Sequence, residues 1–231
     1  MEKLVYVLWK PSGRTGGALR DALLGDVAPA LLRHGASRIS VDVSDEHVAH
    51  ALGPRIAQLA PPIDGFLTFW LDEAEARRAL EPAIAAATSR FFPFLVVESV
   101  PLRNTTHVAA RGERTPGINM VACIIPKPGM AHADFIRHWH TTHRAVALET
   151  QCTYAYVRNE IVRSFAPDAP PWAAVVEEGF PADAVTDPMR WYRADGSEET
   201  YKRNFDRMME SCVAFLDLAR IESHPMSEYV L

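Results

Sequence analysis

An α+β protein built from two βαββαβ halves is the fold class this sequence predicts, and three observations predict it. The first is an internal echo. Lys10-Pro11 follows the apolar run LVYVLW, and Lys127-Pro128 follows NMVACIIP 117 residues later. The second is a set of anchors in the same order. Pro61-Pro62 precedes IDGFLTFW as Pro170-Pro171 precedes WAAVVEEGF, and Val97-Glu98-Ser99 with Pro101 returns as Ile221-Glu222-Ser223 with Pro225. Anchors repeated in one order mark a long-period duplication, which resets the reading of a whole fold. The third is the element order within each half.

In the first half, β-branched and aromatic runs bounded by Pro and Gly predict strands at 3–10, 36–44, 64–71 and 92–101. Windows rich in Ala, Leu, Arg and Glu at helical spacing predict helices at 15–34 and 73–90. The second half repeats the order, with strands at 118–126, 152–163, 172–179 and 217–224 and helices at 131–148 and 197–214. Strand, helix, strand, strand, helix, strand is the ferredoxin-like plait, one antiparallel sheet with both helices on one face. Each plait leaves a bare sheet face. The two bare faces cover each other, which predicts an intramolecular two-sheet barrel. The domains are then 1–103 and 117–231, joined by the polar stretch Arg103–Pro116, RNTTHVAARGERTP. Pro181–Glu198, with two prolines and an Asp-Gly pair, reads as a long loop over a cleft.

Composition excludes several classes of partner. At 231 residues the chain can bury a substantial core, and 48% apolar with 23% charged residues are ordinary soluble values. A net charge of -5 with no basic run argues against a nucleic-acid groove, which needs clustered Lys and Arg. No apolar run approaches the roughly 20 residues of a membrane span. The start, MEKLVYVLWK, has too short an apolar run for a signal peptide and reads as a strand. Cys123, Cys152 and Cys212 form no CxxC and suit core thiols in a reducing cytosol, so a cytoplasmic protein is expected. No GxGxxG, Walker loop or GxSxG is present.

The densest chemistry lies in Phe135–Asn159, FIRHWHTTHRAVALETQCTYAYVRN. At 100° per residue, Phe135, Trp139, Thr142 and Val146 form the stripe that packs on the sheet. His138 and His143 lie at its two margins, and His140 lies further round, toward solvent. Trp139 and His143 are four apart and touch. A half-buried imidazole titrates near neutrality, as acid–base work requires. His140 and His143 could share a metal ion. The HxHxxH pattern lacks the i, i+4 histidine pair and the glutamate of a zinc helix, so no metal is expected.

Other candidates follow from strand alternation. Tyr154, Tyr156 and Arg158 share one face, and Ala155, Val157 and Asn159 the other. A phenol such as Tyr156 donates to a developing oxyanion, or simply fills core. Glu177 sits in an apolar strand and needs a partner. His143 is the natural one, with an ion pair to Arg158 as the alternative. His224 ends the last strand and either reaches the cleft or sits at the surface. Glu98 and Glu222 occur in both halves and read as structural.

At these residues the sequence resembles the EthD family of the dimeric α+β barrel superfamily. The resemblance rests on FIRHWHTTH with its HWxxxH core (His138, Trp139, His143), then YAYVRN and WAAVVEEGF, with DGFLTFWLDEAEA echoing the family in the first half. It implies a tandem two-copy member, a pseudo-dimer that closes its own barrel, and one cleft centred on the second copy. Asp26 stands for His143 in the first copy, Asp21 and Ala22 for His138 and Trp139, and Thr68 for Glu177. It implies a small-molecule enzyme without a cofactor, performing lyase, isomerase or cyclase chemistry on an apolar or aromatic carbonyl compound. His143 would be the general acid–base, Glu177 its support, and His138 and Tyr156 the polarising groups. Trp139, Tyr154, Arg158 and His224 would bind the substrate. The superfamily also contains haem-dependent and cofactor-free oxygenases, and a binder of a hydrophobic metabolite is a further alternative. Its members commonly pair, so a homodimer is expected unless the tandem copy satisfies the sheet.

Overall fold

The computed structural model describes residues 1–51 and 55–231. Its eight strands are β1 Glu2–Trp9, β2 Ser37–Val43, β3 Gly65–Leu71, β4 Arg90–Leu102, β5 Ile118–Ile124, β6 Ala155–Ser164, β7 Ala174–Phe180 and β8 Glu222–Val230. The helices are α1 Gly16–Ala22, α2 Ala28–Arg33, α3 Glu81–Ala87, α4 His132–His138, α5 Arg144–Thr150, α6 Pro188–Trp191 and α7 Glu198–Phe215. π-Turns at Leu23–Val27 and Trp139–His143 join α1 to α2 and α4 to α5.

All strands form one closed antiparallel barrel in the order β1-β3-β2-β8-β5-β7-β6-β4. The first four strands therefore lie β4-β1-β3-β2, and the last four β8-β5-β7-β6. Two ladders seal the halves together, β4 with β6 and β2 with β8. A closed barrel has no open edge to template pairing with another chain.

Strand alternation sorts the core into two layers. On β1, Val5, Val7 and Trp9 point into the lumen, where they meet Phe66, Phe94, Val121, Cys123 and Met226. Leu4, Tyr6 and Leu8 point outward and pack with Leu19, Leu23, Val27 and Leu31 of the α1–α2 segment. Burial on both faces is why β1 reads as a continuous apolar run. Thr15 caps α1 by accepting from the Ala18 N–H, and Ser197 caps α7 by accepting from Thr200.

Three expectations about elements need correction. The last strand lies at Glu222–Val230 instead of 217–224. Pro225 suggested an end, because proline removes a ladder donor, yet the strand runs through it. The helix stripe is not Phe135, Trp139, Thr142 and Val146. Phe135 and Trp139 are buried, Thr142 is exposed, and Ala147 and Thr150 take the later buried positions. The π-turn inserts an extra residue and rotates everything beyond it. The gapless 117-residue offset also fails. The π-turns open at Leu23 and Trp139, 116 residues apart, so Val27 matches His143, and Asp26 does not.

Candidate functional site

A cavity of about 650 Å³ lies between the α4–α5 segment, α7 and the outer face of β5, β6 and β7. The ladders explain why it exists in this half. Leu4 opposes Phe69 and Tyr6 opposes Leu67 in the first half, as Met120 opposes Glu178 and Ala122 opposes Val176 in the second. Tyr6 and Phe69 stack with centroids 5.4 Å apart and fill their layer. Ala122 and Glu178 stand at the matching positions. One ring has become a methyl and the other a carboxyl, so the space is open.

The segment after β7 roofs the cavity. Ala184, Val185, Pro188, Trp191 and Tyr192 line it, which agrees with the expected loop over the cleft, although that loop contains the 3-10 turn Ala182–Ala184 and helix α6. Trp191 stacks on Phe180 at 3.7 Å between centroids. The Asn204 amide of α7 donates to the Tyr192 carbonyl at 2.7 Å, which holds the roof on the helix. His50 and Ile56 from the first half complete the wall.

Several polar side chains meet inside a largely apolar lining. His143 Nδ1 is 3.0 Å from Ser211 Oγ, and its ring packs against Phe215 at 4.8 Å. Burial, then the neighbouring His138, lowers the imidazole to about 4, so it is neutral at physiological pH. The buried Trp139 indole N–H donates to the Tyr156 phenol oxygen at 2.8 Å. Tyr156 lies directly opposite Glu178 across the β6–β7 ladder, so the two side chains are neighbours on one face. Burial pushes the Glu178 carboxyl up to about 7, and its Oε1 has no hydrogen-bond partner. Burial, with Glu178 second, raises the Tyr156 phenol and also takes the Cys212 thiol up to about 12.

The sequence candidates separate into those that line this cavity and those that do not. His143, Trp139 and Tyr156 line it. Glu177 does not support His143. It points into the lumen, where it accepts from Asn159 Nδ2 at 2.6 Å and lies 3.5 Å from Lys3 Nζ. The cavity carboxyl is its neighbour Glu178, missed because a strand's adjacent residues face opposite sides. The signal was present in the sequence: if Tyr156 faces the helices, the ladder partner opposite it faces them too.

His138 stacks on Phe215 at 5.0 Å with Nε2 unpartnered, and it is absent from the cavity wall. His140 is half-buried rather than exposed, with a buried, unpartnered Nε2. Burial and Arg158 lower its pKa. Arg158 donates to Ser99 Oγ at 3.0 Å and lies 5.7 Å from the Trp139 ring, behind the cavity. Tyr154 is elsewhere, stacked on His107 at 3.9 Å with its hydroxyl donating to the Pro116 carbonyl. His224 is neither in the cavity nor at the surface. It is buried in the lumen, 2.8 Å from Glu222. Thr68 also faces the lumen, and Glu98 pairs there with Lys3. Among the described residues, one cluster brings three metal-ligating atoms together: Asp45, Glu46 and His47. Arg20 already occupies two of its carboxylates.

Fold and site together define an α+β barrel protein with a closed eight-stranded antiparallel barrel and a cavity under one helical layer. Residues 127–212 match the EthD domain model. The whole chain is similar in fold to an anthrone oxidase-like protein, with a TM-score of 0.55 at 9% identity, covering 100% of this chain and 91% of the other. It is similar to a candidate monooxygenase from Fusobacterium nucleatum subsp. nucleatum, with a TM-score of 0.51 at 9% identity, covering 100% and 92%. No curated protein sequence matches the chain. No helix among the described residues is long and apolar enough to cross a membrane.

Proposed function

We propose that this protein is a cofactor-independent enzyme that moves a proton on an apolar or aromatic carbonyl compound held in the cavity. One observation carries the reading: a buried carboxyl oxygen without a partner, on Glu178, stands beside Tyr156 in a largely apolar chamber. A carboxyl at about 7 is both base and acid at neutral pH. An indole N–H only donates. Trp139 therefore fills an acceptor site on the phenol oxygen and leaves the phenol hydrogen for a substrate carbonyl.

The step follows from these roles. Glu178 carboxylate takes a proton from the carbon activated by the carbonyl. The C–H pair becomes a C=C bond while the carbonyl π pair moves onto oxygen, which accepts from Tyr156. The carboxylic acid then returns the proton to another carbon, or to a leaving group. His143, neutral and held by Ser211, presents Nε2 as a second donor or acceptor. Glu177 has no part in this chemistry. Residues 1–103 and 117–231 are read as two ferredoxin-like domains of a tandem pair, supported by the matching strand orders. Since the barrel closes within one chain, a homodimer would have to use another surface.

The test is hydrogen–deuterium exchange at the activated carbon of aryl ketones, followed by NMR. Anthrone leads the panel, because its methylene is acidified by the ring carbonyl and a similar fold bears its name. Exchange should rise with pH through about 7. It should fall by about 10²–10⁴-fold in Glu178→Gln. Exchange no faster than buffer across the panel, or undiminished in the variant, overturns the reading. Saturable binding with no exchange would instead identify a binder.

A cofactor-free oxygenase is the second reading, favoured by the same largely apolar cavity, where a carbanion would meet dissolved O2. For anthrone, one oxygen atom would enter the quinone and the other leave as water, so oxygen uptake separates the two. Haem fits poorly. His143 and His50 offer imidazoles, but the described lining has no Lys or Arg for the haem carboxylates and adds the carboxyl of Glu178.

A further inference from the structure

The barrel lumen holds a second cavity, of about 500 Å³, that this chemistry does not use. Lys3, Glu98, Glu177 and Glu228 line its inner part. Asp42 shares their face, since it lies two residues along β2 from Ser40, which also lines the cavity. The five groups do not balance. Lys3 Nζ lies 2.6 Å from Glu98 and 3.5 Å from Glu177, so a single ammonium serves four carboxyls. Asp42 is fully buried. Its Oδ1 accepts from Asn119 at 2.9 Å, and its Oδ2 has no partner. A buried, unpartnered carboxyl oxygen is costly. Burial, then Glu228 and Glu177, pushes Asp42 well above the carboxylate range, as expected for an acid cluster short of a cation.

The sign reverses at the mouth. Arg38 and Arg103 are exposed and line the same cavity. Arg38 sits in the register break between Ser37 and Ser40 at φ 50°, a conformation that arginine rarely adopts. There its guanidinium lies 5.5 Å from the Trp70 ring, beside the opening. A bulge of this kind re-aims a side chain.

We propose that the lumen is a second ligand site, for a small zwitterion of the aminocarboxylate class: its ammonium meets Glu177 and Glu228, with Asp42 behind them, and its carboxylate meets Arg38 and Arg103. Charge alternation along the cavity selects for both ends of such a ligand. An amine alone leaves the arginines unpaired, and a carboxylate alone leaves the acids unpaired.

Calorimetric titration of the full chain with 6-aminohexanoate, hexylamine and hexanoate tests this. The zwitterion should bind at least about tenfold more tightly than either half-ligand. Arg38→Gly should weaken it about tenfold while preserving the fold, because glycine adopts that φ without strain. Glu228→Gln should weaken it from the other end. The proposal is overturned if the zwitterion shows no saturable heat at about 10 mM. It also falls if hexanoate or hexylamine binds equally well, or if Arg38→Gly leaves the affinity unchanged. Because the proton-transfer cavity lies outside the barrel, these results do not depend on the outcome with aryl ketones.

Discussion

Replacing Glu178 by glutamine keeps the side-chain shape and removes a carboxyl ionisation that burial opposes in the outer cavity. In the folded chain this carboxyl is held up to about 7, against an ordinary 4.5. The folded state therefore keeps a proton that the unfolded state gives up between these values. Unfolding releases that proton, so its contribution to stability is present below about pH 4.5 and is lost as pH rises toward 7. A gap of about 2.5 pH units, at about 1.4 kcal/mol each, sets a ceiling of about 3 kcal/mol. Glu178→Gln should match wild type in pH dependence at the acid end and gain about 3 kcal/mol on it by about pH 8. Urea melts of both proteins across this range measure the difference directly, since all other groups cancel. A difference that stays flat with pH would refute the claim that Glu178 is buried without a partner. The acid–base role would go with it, since that role needs the raised carboxyl.

Further outcomes follow from the same geometry. The His143 imidazole, lowered to about 4 in the folded state, should show no NMR titration near its ordinary 6.5. Its stabilisation is complete above 6.5 and is lost as pH falls toward 4, so His143→Gln should flatten that limb of the stability curve. Trp139→Phe should cost about 1–3 kcal/mol in urea melts by removing the indole donor from the buried phenol. An unchanged midpoint would mean the bond is not formed. Gly179→Ala would bring a Cβ to 2.4 Å from Tyr154 Cε2 and 2.7 Å from Cζ. It should cost about 1–3 kcal/mol, and Tyr154→Ala in the same chain should recover most of that loss. Ala122→Phe restores a ring where the first half has Tyr6 and should abolish uptake of any aryl ketone into the cavity, as read by calorimetry.

Much of the architecture was legible before folding. Repeated Lys-Pro and Pro-Pro anchors and the runs between them predicted eight strands, and the closed barrel contains eight. The histidine helix was legible as one wall of a cleft, and His143, Trp139 and Tyr156 line the cavity. Two of the failures came at the scale of one residue. The π-turn moved the buried stripe off Thr142, and strand parity exchanged Glu177 for Glu178. Neither error changes hydrophobic content, so composition and periodicity cannot detect it.

The sequence by itself determined the element order and the barrel, because apolar patterning on both sides of a strand leaves few ways to bury it. It also determined which types of side chain were available for chemistry. Only the tertiary structure decided which of them meet. Cross-strand register set Tyr156 opposite Glu178, and barrel closure brought Lys3 to Glu177 from strands far apart in the chain. Residues that each helix or strand carries singly become a site through pairings that no local pattern encodes.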